Sequence, residues 1–409
     1  NTLLTAARHV AAGHEVILMH GRDVLPEFAR ALAPGAELVA VPNLVRNLSP
    51  VQDPAAFLEI RRLLREIQPD VVHTHQSKAG IIGRFAATSA RVPLVVHGVH
   101  ILPFLGVGPA QKAVYLGLER ATARMTDGFI HVSEGMRRAC HDHKVGASRQ
   151  QLVVPSGFEL ARFRQAVPPE GWRDLLGLGS DAPRPVVIAM LAVLEPRKRH
   201  LELLREIAIF LKQLPELHLV FAGDGHLRSA IEDTIRELDL ENQVTLLGYR
   251  TDPERIIAMA DICIHTAERE GLPRTVLQTL TVGRPVVLFD LPGIEESITH
   301  GVNGFIVPQE DWEGFRERLG QLVSSPERRA AMAAEARAPP PDRWDADFLA
   351  RRDPSTYEEL LRRSPLQGAP PRTHFPTPRA PAVAPRPATS APVGSTPHSS
   401  SWPAPASPT

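Results

Sequence analysis

Apolar positions along the chain follow two alternating periods. Short runs such as Val71-Val72-His73-Thr74-His75 and Ile262-Cys263-Ile264-His265 read as buried strands, and longer stretches repeating every 3.6 residues read as helices. A first helix is predicted over 1–12, closed by Gly13 at a C′ position, with a buried strand at 15–20. Phe57, Ile60, Leu63, Leu64 and Ile67 line one face of a helix over 55–68, which Pro69-Asp70 stops. A helix at 81–90, a strand at 93–97, a helix at 109–126 and a strand at 128–133 follow. A polar, Pro-rich stretch at about 156–185 reads as a linker, and the alternation then restarts. Strands are expected at 186–193, 218–222, 244–247, 262–265 and 285–289, and helices at 201–214, 226–238, 254–260, 273–281 and 311–323. Thr251-Asp252-Pro253-Glu254 has the spacing of a capping box. Strands that alternate with helices predict parallel, doubly wound sheets, an α/β fold.

Two such stretches predict two Rossmann-like domains, at 1–165 and 166–337. A degenerate C-terminal helix is expected over 338–363, with pieces at 346–352 and 356–363 after the break at Ala338-Pro339-Pro340-Pro341. The last 46 residues carry 13 of the 39 prolines and predict a disordered tail over 364–409. The chain enters its first βα unit halfway, because a strand and a Gly-rich turn normally precede such a helix. The expectation is a first domain without its first strand, weakly stable and poorly active as the chain stands.

Bulk charge removes one class of function. Lys plus Arg and Asp plus Glu both total 46, so nucleic acid is not an expected partner. Cys140 and Cys263 stand far apart without metal-ligand spacing, which suits reduced thiols and no metal. Asp345-Ala346-Asp347 has DxD spacing but lies in the broken C-terminal stretch, where it reads as a helix start. No apolar run approaches the roughly 20 residues that span a bilayer, and a cytoplasmic protein is expected. The helix at 109–124 sets Lys112, Arg120 and Arg124 beside Val114, Tyr115 and Leu118. That pattern suits either an amphipathic core helix, the favoured reading, or peripheral contact with the inner face of a membrane.

Ligands of parallel sheets sit at the carboxyl ends of the strands, so the residues after each strand carry the chemistry. After 186–193 comes Leu194-Glu195-Pro196-Arg197-Lys198-Arg199-His200, three cations before a helix N-terminus. That suits a diphosphate, or a solvated basic turn. After 262–265 come Glu270, Gly271, Leu272, Pro273, Arg274 and Thr275, with Gln278 one helical turn on. Glu270 could accept from sugar hydroxyls or be an ordinary surface carboxylate. In the first half, His73 and His75 end a strand, and Ser77-Lys78 could bind an acceptor phosphate or simply open a helix.

These segments together resemble family 4 glycosyltransferases of the bacterial polysaccharide and glycolipid type. The carriers are Pro196-Arg197-Lys198-Arg199-His200, Phe221-Ala222-Gly223-Asp224-Gly225, the run from Glu270 to Val287, Pro292-Gly293-Ile294-Glu295-Glu296, and Gly301 to Pro308. In the first half they are His73 to Arg84 and His97-Gly98-Val99-His100. The resemblance covers about residues 3–337, with a weaker match at 346–363. It implies a GT-B fold, two facing Rossmann-like domains, the first for the acceptor and the second for the nucleotide sugar. It implies Glu270, Lys198 and His100 as catalytic residues. Lys198, with Arg197, would neutralise the departing diphosphate, Glu270 would hold the donor sugar, and His100 would reach that sugar from the first domain. Gly225, Gly271, Leu272, Pro273, Arg274, Thr275 and Gln278 would complete the donor site, with His75, Ser77 and Lys78 on the acceptor side.

The resemblance further implies a UDP- or GDP-linked sugar, no cofactor or metal, a saccharide or lipid-linked acceptor, and transfer with retention. Three substitutions depart from the family. Gln278 replaces a usual Glu, Val193 a frequent Arg, and Ser156-Gly157 the usual Asn-Gly. With the absent strand, they leave a truncated, inactive nucleotide-binding remnant as the alternative. A different enzyme on the same scaffold, an epimerase or phosphorylase, is the third reading.

Overall fold

A computed structural model describes residues 2–22, 32, 34–45, 47–179, 183–337 and 344–345, within one compact unit spanning Asn1–Gln367. The helical pieces expected at 346–352 and 356–363 and the tail at 364–409 lie outside the described residues.

The first half runs α1 (Thr2–Ala11), β1 (Val16–His20), β2 (Ala36–Ala40), α2 (Gln52–Ile67), β3 (Val71–His75) and α3 (Ser77–Ala90). It continues with β4 (Leu94–Val99), α4 (Pro109–Ala123), β5 (Gly128–His131), α5 (Glu134–Asp142) and β6 (Gln150–Val153). β1 pairs with β2, and β3-β4-β5-β6 form a second sheet in that order, every ladder parallel. The strand at 15–20 was expected to be buried, but all five residues of β1 are half-buried. Ser133 caps α5, its hydroxyl accepting from the Met136 N–H at 3.1 Å.

The stretch at 156–185 is less of a polar linker than its prolines suggest. It contains α6 (Leu160–Arg164) and α7 (Trp172–Leu175), and it buries Phe158, Leu160, Phe163 and Leu176. Phe158 also bridges to Asp345, its N–H donating to the Trp344 carbonyl at 3.1 Å, and Trp344 is buried. Asp345 is therefore part of a strand-like bridge, and the rest of the Asp345-Ala346-Asp347 segment lies outside the described residues.

The second half runs β7 (Val186–Leu191), a 3-10 turn (Pro196–Lys198), α8 (His200–Gln213), β8 (Leu217–Ala222), α9 (Arg228–Glu237), β9 (Val244–Gly248) and α10 (Pro253–Met259). β10 (Ile262–His265), α11 (Arg274–Val282), β11 (Val286–Phe289), a 3-10 turn (Ile294–Glu296), β12 (Gly304–Val307), α12 (Trp312–Val323) and α13 (Pro326–Ala336) complete it. All six strands are parallel, in the order β12-β11-β10-β7-β8-β9. The capping box does not form: Asp252 precedes α10 and makes no side-chain cap, its carboxylate instead meeting Arg250 at 2.8 Å.

The second sheet is apolar on both faces, as a sheet sandwiched between helices must be. Val187, Ala189 and Leu191 of β7 face one core, and Ile188 and Met190 face the other. The first of these cores also contains Val99, Phe104, Phe129 and Val132 from the first half and Ile256, Leu272 and Ile294 from the second. The halves therefore share apolar burial, each filled side chain being worth about 1.5–3 kcal/mol.

Candidate active site

The loops after β7 and β10 meet, and backbone bonds tie them together. The Glu268 N–H donates to the Arg197 carbonyl at 2.9 Å, and the Thr266 hydroxyl donates to the Lys198 carbonyl at 2.7 Å. This brings Lys198, Arg197 and Glu270 together at the carboxyl end of the sheet. The Lys198 ammonium ion-pairs with Glu270, and the Arg197 guanidinium reaches the same carboxylate oxygen at 2.7 Å. Arg197 also pairs with Glu195. Lys198 is buried, 7% exposed, so the solvated-turn reading of this segment does not hold.

Burial lowers the Lys198 ammonium from the ordinary lysine value, and the Glu270 charge offsets part of that. Burial would raise the Glu270 carboxyl, but Lys198, His265 and Arg197 outweigh it and hold it at about 2. Glu270 is therefore a carboxylate at neutral pH. His265 ends β10 beside the cluster, and burial followed by the Lys198 charge lowers it to about 3. It is a neutral imidazole within the electrostatic reach of Lys198 and Glu270. Sequence reasoning passed over both His265 and Glu195. Their positions at a strand end and in the cationic loop were visible, but their pairing across loops was not.

Arg274 and Thr275 open α11, at the end of the helix that favours anions. Gln278 lies half-buried one turn on. Leu272 and Pro273 are buried. Gly271 packs directly on the His100 carbonyl of the first half, where a side chain would collide. That glycine lets the β10 loop and the β4 loop meet. Gly225 has a different reason for being small: its α-carbon packs on the backbone of Leu194, behind the cationic turn.

In the first half, His75 and His100 lie together, Nδ1 to Nε2 at 2.9 Å. Burial first, then neighbouring positive charge, lowers both, His75 to about 4. Ser77 is the first residue of α3 and not its cap, since Gln76 occupies that position. Lys78 is engaged by Asp53 and by the Asn47 carbonyl. An acceptor phosphate would have to displace Asp53 to use it.

The seam between the halves has a second contact. The Gly135 N–H, at the start of α5, donates to Glu296 at 2.8 Å, and Arg138 pairs with Glu295. Gly135 and Gly293 touch through their backbones. No group of three or more His, Cys, Asp or Glu among the described residues is placed to hold a metal. Burial pushes the Cys140 and Cys263 thiols up to about 12 and about 11, so neither is a nucleophile at neutral pH.

Profiles of known families match both halves. The family described as "Glycosyl transferases group 1" matches residues 180–338, and "Glycosyl transferase 4-like domain" matches residues 2–157. The chain is a GT-B glycosyltransferase of the family 4 type. It is 29% identical over 288 residues to a UDP-Gal:alpha-D-GlcNAc-diphosphoundecaprenol alpha-1,3-galactosyltransferase of Escherichia coli, covering 69% of this chain and 74% of that one. It is 27% identical over 293 residues to the putative glycosyltransferase EpsD of Bacillus subtilis, covering 70% and 76%. The fold is similar to that of Anabaena HepE in complex with UDP-glucose, with a TM-score of 0.69, 20% identity and 87% and 94% of the two chains covered. It is also similar to sucrose-phosphate synthase from Thermosynechococcus elongatus, with a TM-score of 0.70, 18% identity and 88% and 92% covered. The matches to both halves favour the enzyme over the inactive remnant as the reading of this glycosyltransferase.

Proposed function

We propose that this glycosyltransferase moves a sugar from a UDP-linked donor to a saccharide or lipid-linked acceptor, with retention, in cell-surface polysaccharide or glycolipid assembly. The carrying observation is the cluster of buried Lys198 with half-buried Glu270 and Arg197, Glu270 lying four residues before the start of α11. Breaking an anomeric C–O bond builds negative charge on the diphosphate and positive charge on the sugar. Lys198, Arg197 and the α11 amides supply fixed positive potential where the diphosphate departs. A bound diphosphate takes over the cations that Glu270 now neutralises, and the freed carboxylate then accepts from the donor sugar's hydroxyls. His100 meets that sugar from across the seam. The departing phosphate accepts the acceptor's proton on the same face, so no separate base is required.

The UDP preference rests on the E. coli relative, whose name specifies UDP-Gal and a diphosphoundecaprenol acceptor. A membrane-bound acceptor also suits α4, which buries Glu119, Thr122 and Ala123 while leaving Val114 and Leu118 exposed. The same helix packs Tyr115, Leu116 and Ala123 against the core, as an amphipathic core helix does, so the exposed Val114 and Leu118 are the part left for a surface contact. The test supplies UDP-sugars and a lipid-linked acceptor in anionic vesicles or in detergent, and follows product by anomeric proton coupling. Retained configuration, with vesicle activation lost in Leu118→Asp, is the expected result. Inverted product, or no transfer from any UDP-sugar, overturns the reading.

A further inference from the structure

Three imidazoles of the first half converge over one glycine. β3 and β4 pair in parallel with His75 opposite Gly98 and Thr74 opposite His97. Side chains alternate along a strand, so Thr74 and His97 meet on one face, Oγ1 to Nδ1 at 2.9 Å. His73 and His75 belong to the other face, with their ring centroids 4.1 Å apart. Gly98 leaves that face bare. A β-carbon there would lie 2.9 Å from His73 Nε2, 2.9 Å from His75 Nδ1 and 3.2 Å from His100 Nε2. The turn that follows His75 is also unusual: Gln76 has φ 63° and ψ 171°, a region that disfavours any side chain. Strain of this kind is tolerated where surrounding structure over-determines the backbone, and here it fixes where β3 ends.

We propose that His75 is a positioning residue for His100: through one shared hydrogen bond it sets the ring orientation and tautomer with which His100 faces the donor sugar. The proposal rests on the donor-site reading given above for His100. It replaces the acceptor-side role that the sequence suggested for His75. Two neutral imidazoles 2.9 Å apart hold one proton between them. If His75 Nδ1 carries it, His100 Nε2 accepts and His100 Nδ1 is the N–H donor. If His100 Nε2 carries it, His100 Nδ1 is bare and accepts. Either way His75 decides whether the remaining nitrogen of His100 gives or takes a hydrogen bond. The Gly271 loop, packed on the His100 backbone, fixes the same residue from the other half.

The experiment uses the full chain with 15N-labelled histidine. Wild type is expected to show His100 as a single tautomer. His75→Ala is expected to give the averaged pattern of mixed tautomers. It should also lower kcat about 10-fold or more, the scale of removing an outer partner that orients a functional His, with the donor KM within about 3-fold. His75→Asn places an amide near the lost Nδ1 and is expected to recover most of kcat. Gly98→Ala keeps every imidazole but drives a methyl between them, and should reproduce the His75→Ala spectrum. It serves as the second variant if His75→Ala does not fold. An unchanged His100 tautomer in both variants, or wild-type kcat in His75→Ala, overturns the proposal. A tautomer that shifts in a protein that transfers no sugar supports the pairing while removing the function it was meant to serve.

Discussion

Glu270 sits where two cations meet, and its charge state is set by them. Held at about 2, it is ionised at any pH in which the protein functions, so it cannot serve as a general acid. Its role is to accept from the sugar and to occupy Lys198 and Arg197 until a diphosphate arrives. Glu270→Gln removes the competing charge and leaves the cations to the nucleotide. Nucleotide affinity is expected to stay equal or rise, while transfer falls on the order of 100-fold, the scale of losing one electrostatic contact in the transition state. Parallel binding and turnover measurements check this, and a loss of nucleotide affinity equal to the loss of turnover would count against it. Lys198, Arg197 and Glu270 were legible in the sequence because strand ends in parallel sheets are where ligands bind. Their mutual ion pairs, the Glu195 contact and the engagement of Lys78 by Asp53 were not legible. Each joins residues distant in sequence, and local pattern carries no distance information.

At the scale of elements, burial decided legibility more than length did: β10 and β11, four residues each, match the strands expected at 262–265 and 285–289, whereas α13, eleven residues long, was not expected. The central strands of the second half read clearly because their residues are apolar on both faces. β2, β6 and β12 lie at sheet edges and have four or five residues each, so their pattern is weak. α7 has four residues and left no periodic trace. The linker stretch was read as polar because prolines hide Leu160 and Phe163, which pack into the shared core. The closing contact between halves depends on two glycines, one at the head of α5 and one before the Ile294–Glu296 turn. Gly135→Ala puts a methyl into the backbone of Gly293 and is expected to hold the seam apart. Transfer should fall on the order of 100-fold, since an ångström of misplacement costs that much. The second half's nucleotide affinity should not change. Scattering by the variant should show a larger radius of gyration, and full turnover with a wild-type radius would show that the seam is not needed.

For the molecule as a whole, the buried histidines set its response to acid. Burial, the largest cause in each, lowers His131, His200 and His218 to about 4 and His265 to about 3. In the unfolded chain they titrate near the ordinary value of 6.5, so the unfolded state binds more protons below it. Stability from these groups is complete above pH 6.5 and falls as pH drops toward 4, by at most about 1.4 kcal/mol per pH unit for each imidazole. Urea midpoints at pH 7.5 and pH 5 should show that decline, and equal midpoints would contradict the burial of neutral imidazoles. The GT-B fold itself was readable from alternation and motif order, because each strand–helix unit carries its own signal. The central claim is that the paired cations after β7 are a diphosphate site. Isothermal titration of the chain with UDP, GDP and ADP, without added metal, tests it most directly. The account predicts micromolar binding of UDP that Lys198→Ala abolishes, whereas a folded protein that binds none of the three, or a Lys198→Ala variant that binds as wild type does, would contradict it.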